Sequence, residues 1–196
     1  TLVAGPLIEA ADNTTVVGPA FTVPANAQAL PVVIGVPGAN AVVDVRARPV
    51  DGGQDIPLAT VTPDRAVHAM QVPIVVARGR AVRIVLDPVT TLGRRLYVRS
   101  IGPPVEVLPG WDVTAGLPVV AREWGRTALA VEDAPLSVTT PVFRPGAKTT
   151  LVGVSVRGAG RLRATAGRGG ASVAANSGSW TILRLKVRAG VPTRIA

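Results

Sequence analysis

The chain contains no cysteine, one histidine and only six aromatic residues in 196 positions. Without cysteine there is no disulfide, no thiolate zinc site and no thiol nucleophile. The histidine, His68 in "DRAVHAMQ", has no second imidazole to work with, and a general base needs a partner that positions its ring. We read it as a strand-edge residue. No G-x-S-x-G, H-E-x-x-H or phosphate-loop pattern occurs. No apolar run approaches the ~18 residues of a membrane-spanning helix. The N-terminal "TLVAGPLIEAADNTT" lacks the basic and then apolar stretches of a secretory leader. These absences set the expectation of a non-enzymatic protein with no cofactor, no bound metal and no membrane insertion.

One further absence is local. All twelve acids lie at or before Asp133. Residues 1–133 hold eleven arginines against twelve acids, a net of −1. Residues 134–196 hold eight arginines and two lysines against no acid, a net of +10. Charge of one sign on one segment points to a polyanionic partner, such as nucleic acid, acidic polysaccharide or an acidic protein surface.

What is present is strand-forming. Hydrophobic residues make up 47% of the chain and mean hydropathy is +0.38, enough for a packed core. Valine suits a pleated, half-buried surface. The 21 glycines and 18 prolines recur at short intervals and oppose long helices. Val/Ile-rich runs bounded by turn residues predict strands at 29–36, 41–50, 70–79, 81–89, 95–101, 150–158, 160–167 and 180–190. In the last, Ile182, Arg184, Lys186 and Arg188 alternate with Leu183, Leu185 and Val187, the pattern of a sheet with one wet face. The best helix candidate is 119–134, interrupted by Gly125.

The chain also repeats itself. Residues 9–35 match 132–156, pairing Phe21 with Phe143, Pro24 with Pro145, Ala27 with Lys148 and Leu30 with Leu151. "VDVRARPVDGG" (43–53) lies under "GRLRATAGRGG" (160–170), and 75–85 recurs as 185–195. Three blocks in one order predict an all-β protein of two tandem β-sandwiches, jelly-roll-like or Ig-like. The expected divisions are 1–105 for the first copy, 106–127 for a connector, and 128–196 for a second, shorter and strongly basic copy. In the 160–170 alignment Asp44 falls on Arg161 and Asp51 on Arg168, so the wet face changes sign.

The candidate polyanion contacts are Arg157, Arg161, Arg163, Arg168, Arg184, Lys186 and Arg188, because guanidinium binds carboxylate, sulfate or phosphate through paired donors. Arg161 and Arg163 share one strand face, as do Arg184, Lys186 and Arg188. The two strands would form one positive wall if they were sheet neighbours. Trp111, Trp124 and Trp180 are candidates for stacking on a sugar ring. Asp51 and Asp55 around two glycines are read as a hairpin turn, too few in oxygens for calcium. Glu106, Asp112, Glu123, Glu132 and Asp133 are candidates near the connector for a glycosidase acid pair, with no pattern around them that supports one. Sequence-specific DNA reading and base stacking are not expected, with no reading helix and few aromatics.

A Cys-free, Val/Ala/Gly/Thr-rich repeated sandwich without a catalytic pattern resembles the tandem β-sandwich spike, decoration and fibre proteins of tailed phages and gene transfer agents. That resemblance implies a structural or adhesive part of a phage-like particle, assembled in the cytoplasm and exposed on the virion surface. Its partners would be other particle proteins, further copies of itself in a homo-oligomer, and acidic cell-surface polysaccharide. The alternative of the same fold class is a carbohydrate-binding module or adhesin of an extracellular or cell-surface bacterial protein. A polysaccharide-acting enzyme ranks last.

Overall fold

The computed structural model describes residues 8–10, 14–36, 41–63, 67–90, 96–123, 126–130, 135–157, 160–167, 169–175 and 180–196. The chain divides into two compact units, residues 1–109 with 113–136, and residues 110–112 with 137–196. Among the described residues the only non-strand element is a 3-10 turn at Val75–Ala77, so no helix is long and apolar enough to cross a membrane.

The first unit opens with β1 (Ile8–Ala10), β2 (Val16–Thr22), β3 (Ala29–Gly35), β4 (Val42–Pro49), β5 (Ile56–Val61), β6 (His68–Pro73), β7 (Ala81–Thr90) and β8 (Leu96–Ile101). They form two antiparallel four-stranded sheets, β1-β8-β3-β6 and β2-β7-β4-β5. The chain passes back and forth between the sheets, and this order is that of an eight-stranded jelly roll. β4 shows why the sequence folds this way: Val43, Val45 and Ala47 are buried, while Asp44, Arg46 and Arg48 face outward. Leu30, Ile34, Ile74, Ile84, Leu86, Leu96 and Ile101 fill the space between the sheets. Each contributes about 1.5–3 kcal/mol by leaving water.

One polar residue is enclosed there. Gln28 is fully buried, and its Oε1 accepts the N–H groups of Val107 at 2.8 Å and Leu108 at 2.7 Å. Its Nε2 donates to the Leu108 carbonyl at 3.1 Å. Residues 107–108 are thereby tied to the start of β3, with their buried polar groups satisfied.

Beyond β8 come β9 (Asp112–Ala115), β10 (Val119–Glu123) and β11 (Arg126–Ala130). The helix expected over 119–134 is corrected here: β10 and β11 pair antiparallel, Val119 opposite Ala130 and Glu123 opposite Arg126. Val119, Val120 and Thr127 are β-branched and favour the pleat, and a glycine at 125 costs a helix about 1 kcal/mol. Trp124 and Gly125 themselves lie outside the described residues.

The second unit contains β12 (Ser137–Thr139), β13 (Leu151–Val156), β14 (Gly160–Ala166), β15 (Gly169–Ala175) and β16 (Thr181–Lys186). β13 pairs with β16 and β14 with β15, both antiparallel. Residues 193–196 extend the β14–β15 sheet. Thr165 and Ala196 exchange backbone hydrogen bonds at 2.7 and 3.0 Å, and Phe143 and Thr193 do so at 2.9 and 2.8 Å. The core is Ala164, Ala166, Leu183 and Leu185, with Val154, Val156, Leu162 and Val173 packed against it.

These pairings reproduce those of the first unit. β13–β16 corresponds to β3–β6, and β14–β15 to β4–β5. The 193–196 segment stands where β7 does, between the counterparts of β2 and β4. The turn bond from Ala27 N–H to the Pro24 carbonyl recurs from Thr149 to Gly146. The bond from Gly79 to Val23 recurs from Gly190 to Pro145. Phe21 opposes Val82 as Phe143 opposes Thr193.

The register of the repeat differs from that read in the sequence. The conserved hydrogen bonds match Pro24 with Gly146 and Ala27 with Thr149, so Leu30 matches Val152 rather than Leu151. A one-residue slip would place buried Leu30 on Leu151, which is 51% exposed. In β4 the slip is two residues. Ala47 opposes Ile84, and Ala166 opposes Ile195, so Ala47 matches Ala166 and Asp44 matches Arg163, not Arg161. A two-residue slip leaves every side chain on its own face, so alternation alone could not detect it. The β4–β5 connection is also longer. It runs from Val50 to Asp55, whereas only residues 167 and 168 separate β14 from β15, with Gly167 at φ +59°.

Candidate functional site

The outer faces of β4 and β14 occupy the same place in the two units, and the first is charge-paired where the second carries arginines. On the first, Arg46 lies between two carboxylates, 3.2 Å from Asp44 and 3.1 Å from Asp87. Arg48 donates through Nε and Nη2 to the two oxygens of Asp55, at 2.9 and 2.8 Å. The Thr60 hydroxyl donates to Asp44 at 2.8 Å, and that of Thr15 to Asp87 at 3.1 Å. The Thr60 bond, then the Arg46 bond, hold the Asp44 carboxyl below the usual carboxylate range. The Arg48 hydrogen bonds do the same for Asp55, and Asp55 in turn raises Arg48. Both arginines of β4 are paired with carboxylates where they stand.

On β14, Arg161 and Arg163 are exposed and point away from the core that takes Ala164 and Ala166. Their cross-strand partners on β15 are Ala174 for Arg161 and Ser172 for Arg163, with Gly170 opposite Thr165. Gly170, Ser172 and Ala174 are exposed as well. Two guanidinium groups therefore stand beside small, exposed residues of the neighbouring strand. No carboxylate side chain occurs anywhere in 134–196 to neutralise them.

The remaining candidates are dispersed. Arg184 and Lys186 are exposed on β16, opposite Gly153 and Leu151 of β13. β16 pairs with β13 and β14 with β15, so the single wall conditional on neighbouring strands is not formed. There are two separate basic faces, because Leu183 and Leu185 turn inward against Ala164 and Ala166. Arg188 is exposed just past β16, and Arg157 is half-buried at the end of β13. Arg168 and Trp124 lie outside the described residues. Trp111 and Trp180 are half-buried, as are Phe21, Tyr97 and Phe143, so no described aromatic presents a fully open face.

Of the acids considered for catalysis, only Glu106 and Asp112 have side chains among those described, and that of Glu123 is not. Glu106 accepts a hydrogen bond from Asn26 at 2.9 Å, Asp112 is exposed, and Glu132 and Asp133 lie outside the described residues. Asp55 is held by Arg48, and Asp51 is exposed on the turn. Among the described residues no three His, Asp or Glu side chains gather as metal ligands. Sequence reasoning missed the Asp44–Arg46–Asp87 cluster, whose only signal was charged residues on the outward positions of two strands that pair.

No family model matches the chain, and no curated relative does. Among solved structures it is similar to the N-terminal CBM22-1-CBM22-2 tandem domain of Paenibacillus barcinonensis Xyn10C. The identity is 11% and the TM-score 0.32, over 89% of this chain and 71% of that one.

Proposed function

We propose that this protein is a non-enzymatic adhesion module that holds acidic polysaccharide on the second unit. The observation that carries the reading is the exchange of Asp44 for Arg163 at one position of the repeat. It turns a self-neutralised face into a cationic one. Paired-donor guanidinium groups suit the carboxylates or sulfates of an acidic glycan. Base stacking needs exposed aromatic platforms, and the described aromatics of this unit are half-buried, which favours a glycan over single-stranded nucleic acid. The finer proposal is that the module serves as a spike, decoration or fibre of a phage-like particle, packed with other particle proteins. Cryo-EM of such particles carrying the labelled protein tests it: ordered, symmetric density supports membership, and its absence removes it. Binding itself is tested with the double variant Arg161→Ser/Arg163→Ser and a sulfated or uronate polysaccharide. Affinity should fall about tenfold, the equivalent of ~1.4 kcal/mol. Unchanged affinity would remove the β14 face as the site.

A further inference from the structure

The first unit carries a cleft on the outer face of β4 and β5, and an irregularity in their pairing makes it. Asp44 opposes Thr60 and Val45 opposes Ala59, but Arg46 opposes Pro57, so Leu58 has no partner on β4. One extra residue in a strand is a β-bulge, and it breaks the alternation of side chains. Leu58 and Ala59 both pack against the core. The outward residues Pro57 and Thr60 therefore stand three positions apart instead of two, with a gap between them. The gap is a cleft of about 180 Å³, lined by Asp44, Val45 and Arg46 of β4 and by residues 57–60 of β5. At the same place in the second unit, β14 and β15 pair without a shift from Gly160 to Ala166, so this bulge has no counterpart there.

The polar wall of the cleft is fixed in advance. Arg46 reaches Asp44 and Asp87 through Nη2, at 3.2 and 3.1 Å. Thr60 donates to Asp44 and Thr15 to Asp87. The Asp44, Arg46 and Asp87 side chains are each about a third exposed. A ligand that binds here has no loose side chain to immobilise. Asp44 Oδ1 accepts from Thr60 and Oδ2 from Arg46, and each oxygen keeps a second acceptor site. Nε and Nη1 of Arg46 have no acceptor among the described residues. The wall thus sets held acceptors beside held donors.

Charge selects what such a wall can take. On this face Asp44, Asp55 and Asp87 stand beside Arg46, Arg48 and Arg83, and the charges sum to zero. An anion would have to displace a carboxylate from Arg46, and a cation would meet the guanidinium. A neutral group that both donates and accepts fits the wall as it stands. A hydroxyl does both, and two adjacent hydroxyls engage Asp44 and Arg46 together. The apolar face of a ring carrying them meets exposed Pro57 and half-buried Leu58 and Ala59. The volume is below the ~300 Å³ at which pockets for drug-sized ligands begin, which suits a single ring.

We propose that this cleft binds one neutral pyranose ring, with Asp44 accepting from its hydroxyls and Arg46 donating to them. The site is separate from the basic face of the second unit and does not rest on the acidic-polysaccharide reading.

The test is an amide NMR titration of the isotope-labelled 196-residue protein with the methyl pyranosides of glucose, galactose, mannose and xylose. At least one should shift residues 44–46 and 58–60 and leave 161–165 still, with a dissociation constant on the order of 1 mM. Its affinity should be the same at 50 and 200 mM salt, since a neutral ligand is not screened. Asp44→Asn, which keeps the side-chain shape and removes the ionised acceptor, should weaken it at least about fivefold. The spectrum of that variant reports whether β4 and β5 stay folded. Deoxy versions of the bound glycoside probe the same contact on the unaltered protein, and loss of a bonded hydroxyl should cost a similar factor. Arg161→Ser/Arg163→Ser should change nothing here, so this site and the second unit's face fail independently. The proposal is overturned if no pyranoside shifts these residues, or if Asp44→Asn and every deoxy glycoside bind as well as their parents. Equal shifts with inorganic sulfate would show an anion site and overturn it too.

Discussion

Replacing Gln28 with leucine tests how the first unit is closed. The side chain is fully buried; it accepts hydrogen bonds from Val107 and Leu108 and donates one to the Leu108 carbonyl. Leucine preserves the volume and removes these. A typical hydrogen bond contributes about 1 kcal/mol net, and a buried group left unsatisfied costs about 1–3 kcal/mol. Val107 and Leu108 are half-buried, so water reaches part of what is exposed. The expected loss is therefore about 2–4 kcal/mol, below the sum of three full penalties. Urea unfolding of the first unit should show a lower midpoint with an unchanged slope, because the surface exposed on unfolding does not change. Hydrogen exchange at the Val107 and Leu108 amides should accelerate first. Gln28→Glu sets a carboxylate oxygen against the Leu108 carbonyl in a fully buried site and should cost at least as much as leucine at neutral pH. A loss under about 0.5 kcal/mol for leucine would show that residues 107–108 are held by something other than this amide.

Other expectations follow from the same geometry. Leu185→Ala opens a cavity in a core of four buried residues and should cost the second unit about 2–5 kcal/mol, seen as unfolding of that unit while exchange in β3 and β4 is unaffected. The folded-state pKa values of Asp44 and Asp55 are lowered. Their contribution is therefore present above the unfolded carboxylate value of about 4 and is lost as pH falls through the folded values. Exchange protection in β4 and β5 should drop below about pH 4, with β14 and β15 unaffected because 134–196 contains no acidic side chain. Separating Arg48 from Asp55 by a double-mutant cycle should give only a small coupling, close to the scatter of the measurement, since the pair is solvent-facing. A larger coupling would mean that this face is less wet than its geometry implies.

Much of this fold is legible in the residues, and the failures have physical causes. β3, β4, β7, β8, β13 and β16 announce themselves through valine and isoleucine, and β14 through the alternation of Leu162 and Ala164 with arginine. β15, "GGASVAA", does not, because its small residues carry almost no hydrophobic contrast. β5 was hidden by Pro57, tolerated because β5 is an edge strand. The repeat was visible through Phe21 and Phe143, yet its register was set only by backbone hydrogen bonds. Matching leucine to leucine put Leu30 on the wrong face, and matching arginine to arginine shifted β14 by two. The basic character of the second unit was plain from composition. That its arginines divide between two faces was not, because it depends on which strands pair.

The most direct test is a titration of the 196-residue protein with a sulfated polysaccharide at 50, 100 and 200 mM salt, beside Arg161→Ser/Arg163→Ser. Contact between a cationic face and a polyanion makes affinity fall steeply with salt, because counterions are released on binding. The wild type should lose affinity strongly across this range. The double variant should bind more weakly and with a shallower dependence, by about one to two units of log–log slope. A flat salt response, or a variant indistinguishable from wild type, would contradict the assignment of the second unit's β14 face as the adhesive surface.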